Sequence, residues 1–132
     1  VELQKGERKQ IDVEGIELEA LYLSHGMVGL LNLGFIITVD GTKILHTGDL
    51  SPDAVHVSYL QDYGLPGEQI DLAFVPDFLL TMEEYHAHVT EGIQPRYVFP
   101  MHYPYEDPPI GVEETFPNAF VFTDTMESWV LP

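Results

Sequence analysis

Residues 16–22, IELEALY, alternate apolar and polar positions. Glu17 and Glu19 fall on one side, with Ile16, Leu18, Ala20 and Tyr22 on the other. That period of two predicts a strand with one wet face. GFIITVDGTKILHTGD, residues 34–49, places two apolar runs around Asp40-Gly41, which predicts a hairpin whose turn uses the positive φ that glycine tolerates. Ser51-Pro52 predicts a helix start, with Ser as N-cap and Pro at the first helical position, and Gly64 predicts its end. IDLAFVPD (70–77) and RYVFPMH (96–102) are mostly apolar, as buried strands are. Between them, Thr81 and Glu84 have the spacing of a capping box for a second helix that Gly92 stops. A proline-rich acidic loop, YEDPPIGVEE, follows, and NAFVFTD and ESWVL predict a closing antiparallel pair. The order of elements predicts an α/β (α+β) unit over 1–132, a mixed sheet with helices on one face.

Composition narrows the function classes. Hydrophobic residues make up 45% of the 132 residues, enough to build a core rather than a disordered chain. The absence of cysteine excludes disulfides, thiolate zinc sites and a cysteine nucleophile. MVGLLNLGFIITV, the longest apolar stretch, contains Asn32 and is too short to span a bilayer. The opening VELQKGERKQ lacks the apolar run of a signal peptide, so a cytoplasmic protein with no membrane partner is expected. Twenty-two acidic residues against five basic ones give a net charge of −17. That surface repels nucleic acid and anionic membranes and tolerates cations.

The chemistry-bearing residues fall at strand ends. LYLSH ends at His25, ILHTGD at Asp49, FVPD at Asp77 and YVFPMH at His102. Loops beyond strand ends are where sites assemble in sheets of this class. Two imidazoles and a carboxylate gathered there suit zinc or a similar divalent ion. Taken singly, each has a structural reading: a histidine hydrogen-bonded at a strand end, or Gly48-Asp49 as a plain turn. Asp77 reads as a helix-approach residue, His46 as a packing residue and His56 as exposed. His86 and His88 diverge by roughly 200° on a helix, so they read as structural or exposed. Tyr103 and Tyr105 are candidate substrate contacts in the loop beyond His102, and a small-molecule substrate is expected. No G-x-S-x-G, G-x-x-x-x-G-K, H-E-x-x-H or calcium-loop motif occurs.

The series LYLSHG, NLGFIITVDGTKILHTGDL, IDLAFVPDFLLTMEEYHAHV and IQPRYVFPMHYPY resembles the C-terminal half of the metallo-β-lactamase fold, in the branch similar to L-ascorbate-6-phosphate lactonase. The resemblance implies half of an αββα sandwich. It implies that His25 completes a first metal site, that Asp49 bridges two metals as the catalytic carboxylate, and that His102 serves the second site. It further implies zinc, two ions in the complete domain, with manganese or iron as alternatives. The implied reaction is attack of a metal-bound hydroxide on an ester, lactone or phosphodiester. The family's first signature, H-x-H-x-D-H, is absent; His86-Ala87-His88 continues with Val89, Thr90 and Glu91. The expected partner is therefore the missing N-terminal half, in cis or as a separate chain, with the present chain inactive alone. Open alternatives are a homo-oligomer, a non-catalytic binding or structural module on the same scaffold, and a small all-β metal binder that the two expected helices disfavour.

Overall fold

The computed structural model describes residues 3–132. Six strands form one sheet in the order of the chain: β1 Arg8–Val13, β2 Ile16–Tyr22, β3 Leu33–Val39, β4 Thr42–His46, β5 Leu72–Pro76 and β6 Tyr97–Met101. The first four are an antiparallel meander, and β5 and β6 join β4 in parallel. The predicted Asp40-Gly41 turn forms, with φ of 50° and 81° and Val39 opposite Thr42. β1 has no counterpart among the elements the pattern predicts. Its alternation, RKQIDV, is diluted by charge, and it pairs with β2 across Glu14-Gly15.

The register assigns the two faces. Leu21, Gly34, Ile36, Leu45, Ala73, Val75 and Val98 share one face. The helix layer covers it, and all but Gly34 belong to the buried core that includes Leu60, Leu65, Leu79, Val89 and Ile93. The architecture is thus one helix layer on a mixed sheet, as the pattern predicts. The other face carries Leu18, Phe35, Ile37, Ile44, Leu72, Phe74, Tyr97 and Phe99. Its aromatic cover lies on the β6 side. There Phe99 stacks on Phe122 at 5.7 Å, and Trp129 meets the rings of Tyr97 and Phe99 at 4.8 and 5.2 Å.

The helix layer is more broken than its sequence predicts. Ser51-Pro52 starts a turn, in which the Ser51 carbonyl accepts from Ala54 and Val55. The first helix, α1, runs only over Val57–Asp62. Gly64, at φ 76°, ends it and leads into a 3₁₀ turn at Leu65–Glu68. The Thr81–Glu84 capping box does not form. Thr81 closes the short helix α2 (Phe78–Thr81), and its hydroxyl donates back to the Asp77 carbonyl at 3.2 Å. A 3₁₀ turn at Glu83–Tyr85 and a π-helical turn at His88–Ile93 follow. Gly92 lies inside that turn, because a side chain there would strike Leu60 at 2.8 Å; Gln94, at φ 57°, makes the exit. The closing antiparallel pair is also absent. Val98 makes one parallel bridge to Ala119, and the segment beyond crosses the aromatic face without a strand. A last short helix, α3, spans Val112–Thr115.

His86 and His88 take separate structural places. His86 Nε2 lies 3.0 Å from the Leu80 carbonyl; the buried His88 contacts the carbonyls of Val55 and Tyr85 at 2.9 and 3.1 Å. At the β1 edge, Tyr63 donates its hydroxyl to the Glu7 carbonyl at 2.7 Å and accepts from the Tyr22 amide at 3.1 Å. Arg8 pairs with Glu19 and Glu68, and Lys43 reaches Glu68 at 2.7 Å. No helix among the described residues is long and apolar enough to cross a membrane.

Two stability outcomes follow from these contacts. Leu60→Ala empties the centre of the helix layer and lowers unfolding free energy by about 2–5 kcal/mol in urea titrations. Glu68 is held below the usual carboxylate range, first by its bond to Lys43 and then by Arg8. Its stabilisation is present above that usual range and disappears as pH falls through the lowered value. Glu68→Gln therefore costs about 0.5–1 kcal/mol at pH 7 and nothing near pH 2, by paired urea titrations.

Candidate metal centre

Strand direction brings the predicted residues to one rim. β3 is antiparallel to both β2 and β4, so β2 and β4 run the same way, and β5 and β6 run parallel to β4. Four chain segments therefore leave the sheet at the same edge, carrying His25, Asp49, Asp77 and His102. His25, Asp49 and His102 meet there. His25 Nε2 lies 2.9 Å from one oxygen of Asp49, and His102 Nδ1 lies 3.4 Å from the other. Asp77 takes a different place: its amide donates to the Met101 carbonyl at 2.9 Å and its own carbonyl accepts from Leu80 and Thr81 at the head of α2.

Each side chain is aimed by its local backbone. β6 runs through Pro100 to Met101, so the proline does not stop the strand; an edge strand tolerates its missing N–H. The turn falls instead at His102, whose φ of 70° is left-handed, an uncommon state for a histidine. Asp49 follows Gly48, at φ 61°. A side chain on Gly48 would lie 2.2 Å from Asn32 Oδ1 and 2.7 Å from the Leu33 carbonyl. Asn32 occupies that space and accepts the Asp49 amide at 2.8 Å. The Gly48 amide donates to His46 Nδ1 at 3.0 Å. His46 is exposed at the rim, and partial desolvation, then His102, hold its imidazole below its usual range.

The donor set fits a divalent cation in kind. Two imidazoles flank one carboxylate, and His25 Nδ1 is buried with no hydrogen-bond partner among the described residues. Zinc, manganese and iron all accept such ligands. Asp49 stands between the two rings, so the donors face one another rather than a common centre. Among the described residues, no group of three or more His, Asp or Glu side chains is spaced to hold an ion by itself. The set is thus right in chemistry and short in number.

A cleft of about 340 Å³ opens beside His25 and Asp49, walled by Leu50, Pro52, Phe78, Met82 and Tyr85. Asp53, 3.5 Å from the Tyr85 hydroxyl, holds that phenol above its usual range. Tyr103 and Tyr105 do not line this cleft. Tyr103 donates its hydroxyl to the Phe122 carbonyl at 2.8 Å, and Tyr105 is exposed. Asn32, which bonds the Asp49 amide, has no signal in the sequence beyond a lone amide inside an apolar run. Phe78, Met82 and Tyr85 have only an ordinary helix-like spacing, which signals nothing beyond packing.

No family model matches the chain. The chain is 30% identical over 103 residues to a UPF0173 metal-dependent hydrolase of Natranaerobius thermophilus, a match that covers 74% of this chain and 43% of that protein. The sequence resembles part of a metal-dependent hydrolase. It spans less than half the length of the curated relative it matches. A Thermotoga maritima protein described as a Zn-dependent hydrolase of the metallo-beta-lactamase superfamily overlays it with a TM-score of 0.49 and 19% identity, over 73% of this chain and 46% of that one. The sequence likeness agrees with the resemblance carried by the motifs at the level of a metal-dependent hydrolase.

Gly48→Ala puts a left-handed alanine against Asn32. The expected cost is about 1–3 kcal/mol, read as a lowered urea midpoint, with loss of amide-exchange protection at Asp49.

Proposed function

We propose that this chain is the C-terminal, ligand-bearing part of a metal-dependent hydrolase of the metallo-β-lactamase fold. The observation that carries the reading is the meeting of His25, Asp49 and His102, from three distant segments, around one carboxylate. In this reading His25, Asp49 and His102 would hold the metal, zinc with two ions in the complete unit, His25 and His102 serving different ions and Asp49 both. A bound divalent ion supplies an acidified water and polarises a substrate oxygen. The protein's own part is to fix the three donors at the rim and to seat the substrate beside them.

The remaining donors come from an N-terminal half, in cis or as a separate chain, packed on the apolar sheet face. Leu18, Phe35, Ile37 and Ile44 share that face, and at its far end Val13, Ile16 and Val39 are 39%, 39% and 38% exposed. A soluble chain rarely leaves so continuous an apolar surface to water. The cleft favours an ester or lactone over a phosphodiester. Its walls are apolar, its charged groups are His25, Asp49 and Asp53, and neither Lys nor Arg lines it, so an anionic substrate finds no fixed cation there. Tyr105, exposed and three residues past His102, is the freer of the two tyrosine candidates for substrate contact. The expected setting is the cytoplasm.

The test joins the chain to the N-terminal half and measures metal content and hydrolysis of neutral esters and lactones. Two metal equivalents and turnover are expected. Asp49→Ala and His102→Ala each lower turnover by about 100-fold or more. A folded, complete unit that binds no metal would instead establish the non-catalytic module.

A further inference from the structure

We infer that Asn32 is a positioning residue: one side-chain amide sets the spacing of His25 and Asp49. Its metal arm rests on the hydrolase reading above; its geometry does not. Asn32 stands one residue before β3. Its Nδ2 donates to the Leu23 carbonyl at 2.7 Å and to the Thr47 carbonyl at 3.0 Å, and its Oδ1 accepts the Asp49 amide at 2.8 Å. Leu23 lies two residues before His25, and Thr47 two before Asp49; both are fully buried. A single rigid plane therefore ties the ends of β2 and β4 at the points where they release the two donors.

The backbone ladder does not do this. The β2–β3 pairing stops at Tyr22 opposite Leu33, so Leu23, Ser24 and His25 lie beyond it. Apart from Asn32, the outgoing segment is held by the Ser51 amide on the Ser24 carbonyl at 2.9 Å. Gly48 completes the fit, since any side chain there would occupy the position of Asn32 Oδ1. Two donors and one acceptor at this reach exist only on a primary amide. Aspartate has the same shape but offers no donor, and it would add a negative charge beside Asp49. Glutamine is one methylene too long for a site already closed by Gly48.

The first arm of the test needs no metal. By NMR of this chain, Asn32 side-chain N–H protons that exchange slowly and a nuclear Overhauser contact between the His25 ring and the Asp49 β protons are expected. Fast exchange of those protons in the wild type would overturn the inference without any variant. Asn32→Ala is expected to lose the His25–Asp49 contact and to lower Asp49 amide protection at least about tenfold; Asn32→Asp is expected to follow it. Leu60→Ala, which weakens the helix layer elsewhere, keeps the contact. Retention of the contact in Asn32→Ala, or its equal loss in Leu60→Ala, overturns the inference.

The second arm is a cobalt(II) titration of the chain joined to its N-terminal half, read by the visible d–d band. A loss of about 10–100-fold in affinity is expected for Asn32→Ala. Equal affinity in the variant overturns the positioning role and leaves the metal reading standing. A wild type that shows the NMR contact but binds no cobalt overturns the metal reading and leaves Asn32 as the residue that spaces the rim.

Discussion

The direction of the strands is the constraint on which the site depends. Parallel pairing of β4, β5 and β6 obliges the chain to return through the helix layer after β4 and again after β5. Antiparallel pairing of β2 and β4 about β3 turns β2 the same way. Residues 25, 49 and 102 then emerge at one edge although 77 positions separate the first from the last. Reversing any one of these pairings would send a donor to the opposite edge. The helix layer serves this arrangement by burying the face that holds the strands in register.

Fine geometry at the rim comes from polar contacts rather than from the sheet. The ladder fixes where each strand ends to within a residue. Asn32, Gly48 and the left-handed turn at His102 decide where the side chains point. A half-buried amide bonded at three points is rigid because two of its bonds go to carbonyls of the buried Leu23 and Thr47, and losing either would strand a group away from water. Such rigidity is what the proposed cation site would require, since ligands must be held before the ion arrives. The acidic surface works in the same direction by raising the local concentration of cations.

The sequence made the sheet legible wherever periodicity was strong. Alternation revealed β2, the Asp40-Gly41 turn fixed the β3–β4 hairpin, and continuous apolar runs marked β5 and β6. β1 escaped notice because Arg8, Lys9, Gln10 and Asp12 dilute its pattern, yet the Arg8–Glu68 and Tyr63–Glu7 contacts secure it. The helices depart from their sequence pattern for a different reason. Ser51-Pro52 and Thr81–Glu84 have the spacing of caps, but other bonds take those residues: the Ser51 amide donates to the Ser24 carbonyl across the fold, and the Thr81 hydroxyl donates to the Asp77 carbonyl four residues back. The closing segments 118–124 and 127–131 have strand-like composition, yet their aromatic rings lie against Phe99 and Tyr97 instead of pairing with each other. At the site, the three donors were legible as strand-end residues. Their positioning partner was not, because a single asparagine carries no pattern and its role exists only once three strand ends are brought together.

The decisive experiment is diffraction at the zinc absorption edge, from crystals of the chain joined to the proposed N-terminal half. If His25, Asp49 and His102 are the ligands, anomalous peaks lie against Asp49, one at bonding distance of about 2.0–2.1 Å from a His25 nitrogen and one likewise from His102. Ordered His25, Asp49 and His102 side chains with the zinc bound elsewhere, or with no peak between them, would contradict it.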